Sequence, residues 1–149
     1  AIFVTHDADE ALLVADRLVI LKAGRVLQEA TPREAYDSPA SADAAAALGA
    51  INRFTGAVQG GRIVTPFGDV AAPGLAEGAR GEAVTRIEAL TLSPGTAARI
   101  VDRRPFGAQD LVRIEVGGVE WRALVSPRTE LDAHVDVALQ PSGVFSFSS

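Results

Sequence analysis

Cysteine and methionine are both absent from this 149-residue chain. Without a thiol there is no disulfide, no zinc–thiolate centre and no cysteine nucleophile. That composition is compatible with a reducing compartment. Lysine occurs once, as Lys22, and the net charge is −5. A nucleic-acid binder gathers basic side chains on one face, because phosphate neutralisation supplies most of its affinity. Here the arginines are scattered and Arg103-Arg104 is the one close pair. Aromatic residues make up only 5%, too few for a base-stacking platform. A nucleic-acid partner is therefore not expected. No apolar run approaches the roughly 18 residues of a membrane-spanning helix. No charged-then-apolar start reads as a signal peptide. The chain opens on Ala1 rather than methionine, and an excerpt of a longer protein is the expectation.

What remains is ordinary globular material, 48% hydrophobic and 22% charged. Residues 1–50 read as α/β. Ile2-Phe3-Val4 is a short continuous apolar run, the pattern of a strand buried in a parallel sheet. Left without neighbouring strands, such a segment should disorder or pair with another chain. Asp7 followed by Glu10 gives a helix start, and Ala8, Ala11, Leu12 and Ala15 recur at helical spacing. Leu18–Leu21, a turn at Lys22-Ala23-Gly24-Arg25, and Val26-Leu27-Gln28 predict a hairpin. Thr31-Pro32-Arg33-Glu34 starts a second helix with proline at its first position, and an alanine-rich helix over about 42–48 ends at Gly49.

From residue 51 the pattern changes to short strands and glycine turns. Thr55–Val58 and Arg62–Thr65 flank Gln59-Gly60-Gly61. The clearest signal is Leu111–Val116, Gly117-Gly118, Val119–Val125. A two-residue glycine loop pairs Val116 with Val119, Ile114 with Trp121 and Val112 with Ala123. Those six side chains share one face, with Arg113, Glu115, Glu120 and Arg122 on the other. Residues 73–81 read as a loop. Many short strands in about 95 residues, with little helix, predict a small β-barrel.

The segments Phe3-Val4-Thr5-His6-Asp7, Glu10-Ala11, Ala15-Asp16-Arg17, Gly24-Arg25, Gln28, Thr31-Pro32, Glu34, Tyr36, Pro39, Gly49 and Asn52 form one ordered pattern. It resembles the tail of the ATP-binding subunit of bacterial ABC importers. The nearest group is that for ferric iron, polyamines, sulfate and sugars, whose ATPase carries a C-terminal regulatory extension. The resemblance implies a mainly β chain: an OB-like, TOBE-type regulatory barrel over 51–149, preceded by an α/β remnant of the nucleotide-binding domain over 1–50. It implies that His6 is the switch histidine, contacting the γ-phosphate of ATP and catalytic only in the full-length subunit. It implies ATP and Mg2+ as cofactors of that subunit, a homodimer, and transmembrane permease subunits as partners. The location implied is cytoplasmic, peripheral on the inner face of the cytoplasmic membrane. The solutes expected are ferric iron or a polyamine.

The imidazole suits that role. At the C-terminal edge of a strand it would face the ligand crevice of an open sheet, and it can donate to developing phosphoryl charge. Read alone, it could equally end a strand with a structural bond. Where the family carries glutamine after His-Asp, this chain has Ala8. The sequence contains no glycine loop ending in Gly-Lys-Ser/Thr, so no array of N–H groups holds the phosphates. The chain alone is not expected to hydrolyse ATP or to need a cofactor.

Val84–Leu90 and Arg99–Gly107 resemble strands of the same extension, with Ile87 where proline is usual. Arg86 and Glu88 read as two solvated charges on one strand face, or as an ion pair. Arg103-Arg104 reads as surface charge, since neighbouring strand residues point oppositely. Trp121 reads as core with its N–H bonded. His134 with Asp132 and Asp136 is a weak metal signal, and a solvated loop is expected, so no metal site is assigned. A competing reading is a stand-alone oxyanion-binding module of the molybdate-related (Mop-like) kind.

Overall fold

Asp7 sets the first helix: its carboxylate accepts from Glu10 N at 3.0 Å, capping α1 (Ala8–Val14). The computed structural model describes residues 1–149, and the chain divides into two compact units, Ala1–Ala50 and Ile51–Ser149. In the first unit, β1 (Leu18–Lys22) and β2 (Arg25–Ala30) pair antiparallel. Ala23 and Gly24 turn between them with φ of 51° and 75°. Both values are positive, as a tight hairpin turn requires. α2 (Pro32–Asp37) opens on a full capping box, in which Thr31 and Glu34 each bond the other's backbone N–H. α3 (Ala42–Ala47) is capped by Ser41. Leu18, Ile20, Ala35, Ala44 and Leu48 form the core of this unit, with Leu12, Leu27 and Tyr36 packed against it.

The strand expected at Ile2-Phe3-Val4 does not form; these residues precede α1 in irregular backbone and are 97%, 66% and 89% exposed. The reason is pairing. An all-apolar strand is stable only where neighbouring strands take its N–H and C=O groups, and none lies beside it here.

The second unit holds nine strands in two sheets. They are β3 (Ile51–Gln59), β4 (Arg62–Ile63), β5 (Val70–Ala71), β6 (Arg80–Arg86), β7 (Leu90–Phe106), β8 (Gln109–Val116), β9 (Val119–Val125), β10 (His134–Leu139) and β11 (Val144–Ser148). One sheet has the order β11-β6-β3-β4-β5 and the other β10-β7-β8-β9. The β8–β9 register pairs Val116 with Val119, Ile114 with Trp121 and Val112 with Ala123, as the Gly117-Gly118 turn predicts. Their inward face is the main core, where Trp121 stacks on Phe67 with ring centroids 4.7 Å apart. A second cluster, Val58, Ile63, Val70, Ala72 and Ala83, lies in the other sheet.

Several boundaries differ from the sequence reading: β6 begins at Arg80, inside the segment 73–81 expected as a loop, and β10 begins at His134, also expected in a loop. The second strand of the first glycine hairpin in this unit covers only Arg62–Ile63, because Thr65 turns the chain by accepting from Phe67 N and donating to Gly68 O. The segment Val84–Leu90 is not one strand: a 3-10 turn at Ile87–Ala89 separates β6 from β7.

Candidate functional site

His6 stands exposed in a bend between the irregular start of the chain and α1. The residues on either side of it are tied to the helix. Thr5 donates its hydroxyl to Glu10 Oε2 at 2.7 Å and accepts from Asp7 N at 3.0 Å. Asp7 is the helix cap, as the sequence indicated. The sheet edge on which His6 was expected is not formed, because Ile2-Phe3-Val4 has no neighbouring strand to pair with. Lys22, the single lysine, lies 2.7 Å from Asp43 Oδ2. One exposed imidazole and one neutralised ammonium do not make a nucleotide site, so no step through ATP is derived from these residues. No three His, Asp or Glu side chains gather as a metal cage. His134 is exposed, and Asp136 instead accepts from Thr96 N at 2.9 Å and Ala97 N at 3.1 Å.

Several charged residues sit differently from their sequence reading. Arg86 is not solvated: it is 1% exposed, with its guanidinium 5.8 Å from the centroid of the Phe145 ring. The 3-10 turn removes the shared strand face on which Arg86 and Glu88 were placed. Arg103 is a half-buried clasp rather than a surface charge. Its Nε donates to Asp110 at 2.7 Å, and its two other nitrogens reach Thr129 O, Ser126 O and Pro127 O. Trp121 is core at 1% exposure, yet its indole N–H has no hydrogen-bond partner, because apolar side chains surround it.

The outer face of β7–β9 carries a ladder of paired charges. Asp102 takes two bonds from Arg113 and lies 2.9 Å from Arg104; Arg113 also reaches Glu120. The Arg113 hydrogen bond, more than the charge of Arg104, holds the Asp102 carboxyl below its ordinary range. Asp102 in turn raises Arg113. Glu115 is lowered first by the Gly118 N–H and then by Arg99. Glu34 is lowered by the Thr31 backbone and hydroxyl in the capping box. Arg53, Arg62, Arg99, Arg103, Arg104 and Arg113 all face carboxylates, so the positive charge of these six is already matched.

Two side-chain amides escaped the sequence reading except as places in a pattern. Gln28 donates to Ser38 O at 3.1 Å and accepts from Ala40 N at 2.9 Å, bracing the link between α2 and α3. Asn52 bonds both the N–H and the C=O of Arg122. Nothing in spacing or hydropathy marks such a role; only the recurrence of the family pattern pointed at these positions.

No family model matches the chain. A sulfate/thiosulfate import ATP-binding protein, CysA, of Methylococcus capsulatus is 33% identical across 99% of this chain and 45% of its own length. The Fe(3+) ions import ATP-binding protein FbpC of Streptomyces coelicolor is 36% identical across 94% of this chain and 34% of its own. The chain thus spans less than half the length of these relatives. Among solved structures, the cytoplasmic molybdate-binding protein ModG aligns with a TM-score of 0.53 at 16% identity, covering 66% of this chain and 96% of that one. At that identity the likeness is one of fold, and it assigns an OB-like architecture to the β-rich part. By sequence, the chain matches part of the ATP-binding subunits of ABC importers, and its β-rich part has a TOBE-like fold.

Proposed function

We propose that this chain is the C-terminal regulatory region of the ATP-binding subunit of an ABC importer, coupling ATP hydrolysis to solute uptake. The observation that carries the reading is 33% identity with an import ATP-binding protein across 99% of the chain. Residues 1–50 belong to the nucleotide-binding domain and 51–149 form the regulatory barrel. The exposure of Ile2, Phe3 and Val4 supports this, since their side chains suit a sheet completed by further chain. His6 then contacts the γ-phosphate, with ATP and Mg2+ bound by groups this sequence does not contain. The subunit works as a homodimer beside permease subunits, on the inner face of the cytoplasmic membrane. Ferric iron, one expected solute, and sulfate/thiosulfate are the solutes in the names of the relatives described.

The test is a chimaera in which this chain replaces the corresponding region of the Methylococcus relative. Solute-dependent uptake should persist, and His6→Ala should abolish it while assembly with the permease remains. An assembled chimaera indifferent to His6→Ala would sink the assignment. The chain by itself should release no phosphate from ATP.

The fold of the β-rich part also supports an oxyanion-binding module as a second reading. Calorimetry with molybdate, tungstate and sulfate separates the two. Micromolar binding to the unaltered chain favours the module; silence in all three titrations favours the coupling role.

A further inference from the structure

Gly117-Gly118 is a two-residue turn, so the flanking pair Val116–Val119 exchanges hydrogen bonds and every second pair beyond it does the same. By that alternation Ile114–Trp121 is a bonded pair and Arg113–Arg122 is not. The N–H and C=O of Arg122 therefore point away from β8. Since β9 is the last strand of its sheet, no further strand meets them.

Asn52 meets them instead. Its Oδ1 accepts from Arg122 N at 2.8 Å, and its Nδ2 donates to Arg122 O at 2.9 Å. The same Nδ2 reaches Thr85 Oγ1 at 3.2 Å. Arg122 returns a bond from its guanidinium to Ile51 O at 2.9 Å. Asn52 is 5% exposed and Thr85 is fully buried. Asn52 and Thr85 are themselves partners in the β3–β6 register. One primary amide thus makes the two bonds that a strand residue would make to a neighbour, and spends its remaining hydrogen on the adjacent strand of its own sheet.

We infer that Asn52 is a latch joining the two sheets of the second unit. It is a surrogate strand residue that closes the outer edge of β9 and ties it to the start of β3. Leucine of similar size cannot replace it, because it would bury the Arg122 amide and carbonyl against carbon. Release of the latch frees both groups for water or for another strand, while the β8–β9 ladder stays paired. The second residue of the unit is thereby the point at which a change at the β9 edge reaches β3.

Amide hydrogen exchange by NMR on the whole chain tests this. In the unaltered protein the Arg122 amide should exchange at least about tenfold more slowly than that of Glu120, which faces the same way with no asparagine across from it. Asn52→Leu should accelerate Arg122 by about tenfold or more while Trp121 and Ile114 keep their protection. Arg122→Ala removes only the guanidinium bond and should leave the amide at position 122 slow. Equal rates at Arg122 and Glu120 in the unaltered chain would overturn the latch, and that comparison stands even if Asn52→Leu fails to fold. A uniform acceleration of all slow amides by Asn52→Leu would overturn it too.

Discussion

Arg103 commits its guanidinium to four acceptors: one carboxylate oxygen on β8 and three carbonyls of the segment 126–129. Neighbouring Arg104, three-quarters exposed, makes only a surface pair with Asp102. Two arginines side by side thus differ because the strand turns one inward, a contrast that alternation foretells without saying which of the two is held. Charge-assisted bonds of this kind contribute about 1.5–3 kcal/mol net, and several sharing one guanidinium do not add. Arg103→Ala should lower stability by about 2 kcal/mol, seen in urea unfolding followed by Trp121 fluorescence. Arg103→Lys should recover little, because a point charge cannot serve a fork of carbonyls. Recovery by lysine would mean that net charge matters more than the fork. Gln28 and Asn52 follow the same logic with neutral amides. In each case a side chain completes backbone bonding that secondary structure leaves open.

Among the elements, β7 carries the widest break in register. Its pairing with β10 jumps from Pro94 opposite Val135 to Arg99 opposite His134, so residues 95–98 bulge out of the ladder. Asp136 stabilises the bulge through the N–H groups of Thr96 and Ala97, and Gly95 makes room for it. A Cβ built on Gly95 would fall 2.1 Å from Asp136 Cγ. Gly95→Ala should therefore displace the carboxylate and cost about 1–3 kcal/mol, lowering the melting temperature and freeing the two amides to exchange. An unchanged melting temperature would mean that Asp136 moves aside without loss. None of this is legible in the sequence, where Asp136 stands near a histidine as a weak metal signal. What is legible is local. The Gly117-Gly118 register, the Thr31–Glu34 capping box and the Asp7 cap each depend on residues within a few positions. Burial of Arg86, the clasp of Arg103 and the isolation of the Trp121 N–H depend on partners far away along the chain. The Ile2–Val4 strand depends on neighbouring strands that the chain does not place beside it.

At the scale of the molecule the two units carry separate cores. The clusters around Trp121 and Val58 lie wholly within 51–149, whereas the core cluster of 1–50 has five buried side chains, two of them alanine. A chain of residues 51–149 should unfold cooperatively with unchanged Trp121 fluorescence, and residues 1–50 alone should show no cooperative transition, being below the size at which a core sustains itself. Acid should weaken the folded chain by a route that can be followed through one side chain. Asp102, Glu115 and Glu34 all titrate below their ordinary range when folded, through the Arg113 bond, the Gly118 N–H and the Thr31 cap respectively. A carboxyl depressed by folding contributes stability that is complete above its unfolded pKa and disappears as pH falls through the lower folded value. Stability should hold from neutrality down to about pH 5 and then decline below the ordinary carboxylate range near 4. Asp102→Asn removes one such contribution, so its deficit against the unaltered protein should be largest near neutrality and should shrink as Asp102 itself is protonated. Melting temperatures of the pair measured across that range decide the matter. A deficit that stays constant or widens in acid would mean that the loss comes not from the ionised carboxylate but from its bonding pattern, because asparagine sets an N–H donor where Asp102 offers Arg113 a second acceptor.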